Sequence, residues 1–463
     1  MLVFCFVSAL LFLILALLNL RKGFYVYLAS LPLLPAYIAI PLVKGGAGIS
    51  LNRMMTYALA VALLVAIINK KQLWLPVIHR ILKWPAFLFW AICLFLAKLI
   101  STIMNQDSIV LFYWLDEFVG VSVVYMLAAR YVNNIVELRA VLKVLLSALL
   151  LQLCVVFIET LSQQPILHGI VEINVSTVSE KVAEGFERGG TYRALGLFDN
   201  PLSLAEYLLI GCVMMLGAYK LNGSKRPVLF YLGVAVVLLA ISFTGARFSL
   251  IALVLALFVS MVFYYGYRLP SLGRPVFLIV SAALFSSLGY FAYLAITDVY
   301  WFLEILNTYA GEDASGTASV ISRASQYMII PTEIFGNASS GVFGEGMRSD
   351  IIERLDTRLD NYYLRVLIES GALGLISFAA LIVTSFVHVG SPVNYKRAGL
   401  QYAHAARFFL IVFFAIFAVN KFFLSMSFNN QYFFLLSGIA LSLLPRKENS
   451  RKYWPANAYS ARS

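Results

Sequence analysis

Charge is scarce in this chain. Asp, Glu, Lys and Arg together make up 13% of the residues, whereas 61% are hydrophobic and 14% aromatic. A soluble chain carries about twice that charged share, so a water-soluble globular fold is excluded. The apolar residues gather into long runs, as at 10–20 and 234–241. A bilayer-spanning helix needs about 20 such residues, and the chain holds many stretches of that kind. Cysteine is equally sparse: Cys5, Cys93, Cys154 and Cys212 all lie in apolar segments without metal-ligand spacing. They read as small core hydrophobes, and neither a disulfide framework nor a zinc site is expected. The first 20 residues lack a basic leader and a small-residue cleavage site, which predicts a retained first span. The halves show no clear internal repeat, an argument against inverted-repeat transporters.

The net charge is +12. Its Lys and Arg residues form no single patch, so a nucleic-acid partner is not expected. They recur in short breaks between apolar runs: Arg21-Lys22, 70–83, 130–143, 220–226, 268–274 and Lys396-Arg397. Together with the basic tail at 446–463, these alternate breaks predict a cytoplasmic C-terminus and an outward N-terminus. The reading is an all-α, polytopic transmembrane bundle of about 12–13 spans, near 1–20, 24–43, 54–69, 85–104, 109–129, 140–161, 199–219, 227–244, 247–266, 275–297, 361–388, 406–424 and 428–445. Two outer breaks are far longer than a connection needs. The organisation expected is N-terminal helices over 1–161, a first outer loop over 162–198, central helices over 199–297, a large outer loop over 298–360, and C-terminal helices over 361–445. Loops of that length are functional or disordered. Helix-like stretches at 301–309 and 322–335 favour order, and neither loop has a linker's Pro- or Ser-rich composition.

Arginine runs against the positive-inside bias in these outer segments, at Arg188, Arg193, Arg247, Arg323, Arg348, Arg354, Arg358 and Arg365. Any one of them reads equally as solvated surface charge. As a set they suit phosphate oxygens, which a guanidinium fork grips with two hydrogen bonds. Several sit in distinctive sequence. The first element is Tyr192-Arg193-Ala194-Leu195-Gly196-Leu197-Phe198-Asp199-Asn200-Pro201, where Asn200 and Pro201 make a helix start. The second is Thr244-Gly245-Ala246-Arg247, a tight break that puts Arg247 near the outer membrane edge. The third is Ser322-Arg323, followed by Gly341-Val342-Phe343-Gly344-Glu345-Gly346. The fourth is Asp360-Asn361-Tyr362-Tyr363-Leu364-Arg365, continuing to Glu369-Ser370-Gly371-Ala372-Leu373-Gly374.

In this order and spacing the four elements resemble the O-antigen ligase and polymerase family, over roughly residues 190–376; the first half of the chain matches only in hydropathy. The resemblance implies a membrane glycosyltransferase of the GT-C type, working without metal or other cofactor at the periplasmic face of a bacterial inner membrane. Such an enzyme moves a glycan from undecaprenyl diphosphate to an acceptor hydroxyl. Its partners would be that lipid-linked glycan, membrane lipids, a flippase and a chain-length regulator. The resemblance assigns Arg193 and Arg247 to the departing diphosphate. Substrate contacts would come from Arg323, Arg188, Arg348, Arg365, Glu369, Asn200 and Asn361. Where the ligases carry a catalytic histidine this chain has Asp360, which favours a polymerase over a ligase and makes Asp360 the candidate base, or else a helix cap. A flippase or transporter is the alternative from another class. Within the spans, Arg365 and Glu369 stand one turn apart and predict an ion pair. Asp116 and Glu117 need partners, with Lys98 a candidate. Lys421 and Asn429-Asn430-Gln431 read as interface residues without a role.

Overall fold

The computed structural model describes residues 2–34, 39–41, 48–104, 108–164, 166, 187–188, 191–198, 200–222, 227–246, 249–258, 326, 332–336, 338–346, 361–390, 400–423 and 429–443. Its helices are α1 Leu2–Leu18, α2 Leu20–Ser30, α3 Leu51–Asn69, α4 Lys71–Leu82, α5 Pro85–Met104, α6 Ser108–Tyr131, α7 Ile135–Ser162, α8 Pro201–Asn222, α9 Pro227–Phe243, α10 Ser249–Phe258, α11 Ala338–Phe343, α12 Tyr362–Gly390, α13 Leu400–Phe423 and α14 Asn430–Leu443. Two short antiparallel ribbons join them, β1 Ala39–Pro41 with β2 Gly48–Ser50, and β3 Glu187–Arg188 with β4 Thr191–Tyr192. The chain is an all-α polytopic membrane bundle.

Among the described residues, seven helices are long and apolar enough to cross a bilayer: α3, α5, α6, α7, α8, α12 and α13. Helices α1, α9 and α10 are apolar but shorter, as is the 14-residue α14. The expected span at 275–297 lies outside the described residues. The expected span at 24–43 is a correction. Its helix stops at Ser30, and the segment ends in the β1–β2 ribbon. Pro32 lacks the amide hydrogen that another helical turn would use, a signal that hydropathy alone does not weigh. The basic break at 70–83 is likewise more than a loop. It forms α4, which buries Trp74 and Val77 and exposes Leu73, Leu75 and Leu82.

Helices α8, α12 and α13 are buried over most of their length, whereas α3, α5, α6 and α7 are buried over less than half. The former make the centre and the latter present apolar faces outward, as lipid requires. Aromatic rings fill the middle: Phe417 stacks on Phe433 at 4.8 Å, and Phe433 meets Phe414 edge-on at 5.6 Å. Such ring pairs add to the stabilisation that burial alone supplies.

At the basic end of the bundle, arginines close helix C-termini. Arg80 donates to the Ala129 carbonyl of α6 at 3.2 Å, and Arg139 to the Leu221 carbonyl of α8. Arg407 donates to the Val389 carbonyl of α12 at 2.6 Å and also to Gly390. The last carbonyls of a helix have no partner within it and carry partial negative charge, so a cation there is doubly favourable.

Candidate functional site

The opposite end carries the buried acids and the sequence motifs. Helix α7 delivers Glu159, one turn before its own terminus and fully buried. The carboxylate accepts from the Tyr192 hydroxyl at 2.7 Å and from the amides of Leu195 and Gly196 at 3.1 and 2.5 Å. It thereby folds the first motif into a turn, with Gly196 at φ 58°, a conformation that suits glycine. The turn then docks on the second motif. Ala194 N donates to the Phe243 carbonyl at 2.9 Å, and Arg193 Nε donates to the Thr244 carbonyl at 2.8 Å. Asn200 Oδ1 accepts from Leu202 N at 2.8 Å, and α8 begins at Pro201, as the cap-and-proline pattern predicts.

The third and fourth motifs meet in the same way. Helix α12 is broken at Gly371, where φ is 64° and ψ is −165°. The loop after α11 lies against the break: Glu345 N donates to the Ile368 carbonyl at 2.7 Å. A carbonyl at membrane depth needs such a partner once the helix stops supplying one. Both backbones are glycine where they touch. A side-chain carbon on Gly344 would stand 2.6 Å from Gly371 N, and one on Gly371 would stand 2.6 Å from Phe343 N. The cap of α12 is Asn361, whose Oδ1 accepts from Tyr363 and Leu364 N at 2.8 and 3.2 Å.

Beside the break runs a chain of buried charges. Arg365 Nε binds Glu369 Oε1 at 2.7 Å, and the other Glu369 oxygen lies 3.2 Å from Lys98 Nζ. Lys98 also binds Glu117 at 2.8 Å. Asn430 donates to the Tyr362 hydroxyl at 2.6 Å and reaches towards Glu117 at 3.4 Å. On the far face of Tyr362, the Lys421 ammonium stands 4.7 Å from the ring centroid and 2.8 Å from Glu206. Asn429 donates to the second Glu206 oxygen at 3.0 Å. Within this chain three cations, Arg365, Lys98 and Lys421, face three carboxylates, Glu369, Glu117 and Glu206. That balance is what lets them lie in an apolar interior. Two members keep an open edge: the side chains of Arg365 and Glu117 are 32% and 15% exposed, against 1% for Lys98. Asp116 turns to another helix and pairs with Arg53 at 2.8 Å.

No family model and no curated protein matches this chain. The residues themselves therefore carry the argument. Of those singled out in the sequence, Arg193, Asn200, Asn361, Arg365 and Glu369 lie in this end of the bundle, with the partners given above. Arg188 contributes backbone to the β3–β4 ribbon, and its side chain is outside the described residues. Asp360, Arg247, Arg323 and Arg348 lie outside the described residues altogether, as does most of the loop over 298–360.

Sequence reasoning missed five members, Glu206 among them. Glu159 is one acid at the end of a long apolar run, with nothing nearby to mark it. Lys421, Asn429 and Asn430 have the sequence of interface residues without a role, yet they complete the buried chain to Glu206 and Tyr362. Glu206, one turn into an apolar span, was the available signal: a buried acid there requires a cation.

Proposed function

We propose that this chain is a membrane glycosyltransferase that polymerises undecaprenyl-diphosphate-linked repeat units at the outer face of a bacterial inner membrane. The observation that carries the reading is the joining of Arg193 to the Thr244-Gly245-Ala246 turn, which merges the two arginine-bearing motifs into one structure. The third and fourth motifs join in turn at Glu345 and Ile368, and the ring of Tyr362 links α12 to Lys421 and so to α8.

In the proposed reaction the acceptor hydroxyl oxygen attacks the anomeric carbon of the donor glycan. The bond from that carbon to the diphosphate breaks, and undecaprenyl diphosphate departs with the electron pair. Arg193 and Arg247 stabilise the charge that develops on it, which fixed cationic donors in a dry site do well. Asp360 takes the acceptor's proton. The paired charges at Arg365, Glu369, Lys98 and Glu117 hold the wall of the site in place.

Replacing Arg193 with Ala is expected to lower polymer formation on the order of a hundredfold or more, with the protein still in the membrane and single-repeat glycan retained. Undiminished long chains would overturn the reading. The same assay separates the alternatives. Full-length chains stranded on undecaprenyl diphosphate would indicate a ligase. Absence of even single repeats at the outer face would indicate a flippase, the reading that the broken α12 and its buried charge pairs favour among transport mechanisms.

A further inference from the structure

Arg193 is useful to a diphosphate only if its guanidinium is held in one place before the lipid arrives. Its own backbone gives little help, since it lies in a short irregular segment between β4 and α8. Besides the bond from Ala194 N to the Phe243 carbonyl, what fixes that segment is Glu159. Its two oxygens gather three donors from both sides of Arg193 in sequence: the Tyr192 hydroxyl before it, and the Leu195 and Gly196 amides after it. The residue between them is left to cross to the Thr244 carbonyl. Beneath the turn, Gln152 lies on the same face of α7, two turns earlier, against Gly196. The turn therefore rests on one side of a single helix.

We propose that Glu159 is the positioning residue for Arg193, setting the guanidinium against the Thr244-Gly245 turn from the end of α7. The proposal rests on the reading of Arg193 as the diphosphate ligand, and it adds a residue that does not touch the substrate. The carboxylate accepts from all three partners, two of which are backbone amides that can only donate. Glutamine has the same shape but no charge and only one accepting oxygen, so it can keep both amides only by turning the Tyr192 hydroxyl from donor to acceptor. Glu159→Gln thus tests the charge and the acceptor count without removing volume.

The measurement is made on the full-length protein purified in detergent, treated with phenylglyoxal and mapped by mass spectrometry. Modification of Arg193 is expected to be about tenfold faster in Glu159→Gln, the scale of a lost hydrogen bond to a charged group, with Arg365 modified at the wild-type rate as the internal control. Tyr192→Phe removes one donor and leaves both backbone contacts, so it should shift Arg193 in the same direction by less. If Glu159→Gln fails to accumulate in the membrane, Tyr192→Phe decides. Wild-type Arg193 reactivity in the variant that decides would overturn the proposal. In the polymerisation assay, Glu159→Gln should raise KM for the lipid-linked substrate as well as lower kcat. Faster modification with undiminished polymer would uphold the role of Glu159 and overturn instead the assignment of Arg193 to the diphosphate.

Discussion

At the scale of single residues, the motif-bearing end of the bundle is governed by the requirement that no charge be left alone in an apolar interior. Lys98 shows this most directly, since it is buried between two carboxylates on different helices. Replacing it with Met would leave Glu117 without its lysine and Glu369 with Arg365 as its remaining cation. Removing one partner of a buried pair destabilises by about 3–5 kcal/mol, so Lys98→Met should lower the thermal unfolding midpoint in detergent markedly. Adding Glu117→Gln to it should recover part of the loss; an unaltered midpoint in the single variant would contradict the network. The pairing of Lys98 with Glu117 and of Arg365 with Glu369 was legible in the sequence, because the partners sit one turn apart or on successive spans. The pairing of Lys421 with Glu206 was not. Those residues come from α13 and α8, and nothing local records which helices pack together.

At the scale of elements, the decisive feature is the break in α12. Hydropathy over 361–388 reads one continuous span, and in outline that is correct. The break is invisible to it, because glycine is as acceptable in a membrane helix as in a turn. The motif spacing hinted at it only by placing glycines at 371 and 374. Gly371→Ala would put a side chain where φ is 64° and where the Val342 carbonyl already sits. Strain of that kind costs about 1–3 kcal/mol before any clash, so lower stability and reduced polymer are expected together. Gly233→Ala is the contrasting case. Its added carbon would meet only the flexible Met215 sulfur at 3.1 Å, and the unfolding midpoint should move little. Equal effects from the two would remove the break from the account. Other boundaries follow from local chemistry. Asn200 and Pro201 announce α8, and Ser50 and Asn134 cap α3 and α7. The second expected span failed for the same kind of reason, a proline that an averaged hydropathy passes over.

At the scale of the whole molecule, the two ends are chemically distinct: arginine caps on carbonyls at one, buried ion pairs and joined motifs at the other. The positive-inside bias predicts that the arginine-capped end faces the cytoplasm. Single cysteines placed in a variant lacking Cys5, Cys93, Cys154 and Cys212 test that orientation. Gln163→Cys, exposed at the C-terminal end of α7, should react with an impermeant maleimide in intact cells. Asn133→Cys, exposed between α6 and α7, should react only once the cells are opened. The reverse pattern would invert the assignment and place the candidate site on the cytoplasmic side.

Arg80, Arg139 and Arg407 have a consequence for how the protein is made. During insertion a basic residue acts through its charge alone, by resisting transfer across the bilayer. In the finished bundle each of these three grips a backbone carbonyl on another helix. With this end in the cytoplasm, as the positive-inside bias predicts, the same side chains serve first as address labels and later as fasteners, and the second duty can begin only when both helices have arrived. Charge-reversal experiments aimed at topology would strip both at once. Lysine, which keeps the charge but lacks the planar fork, separates the two: it should leave the direction of insertion intact while loosening the helix ends.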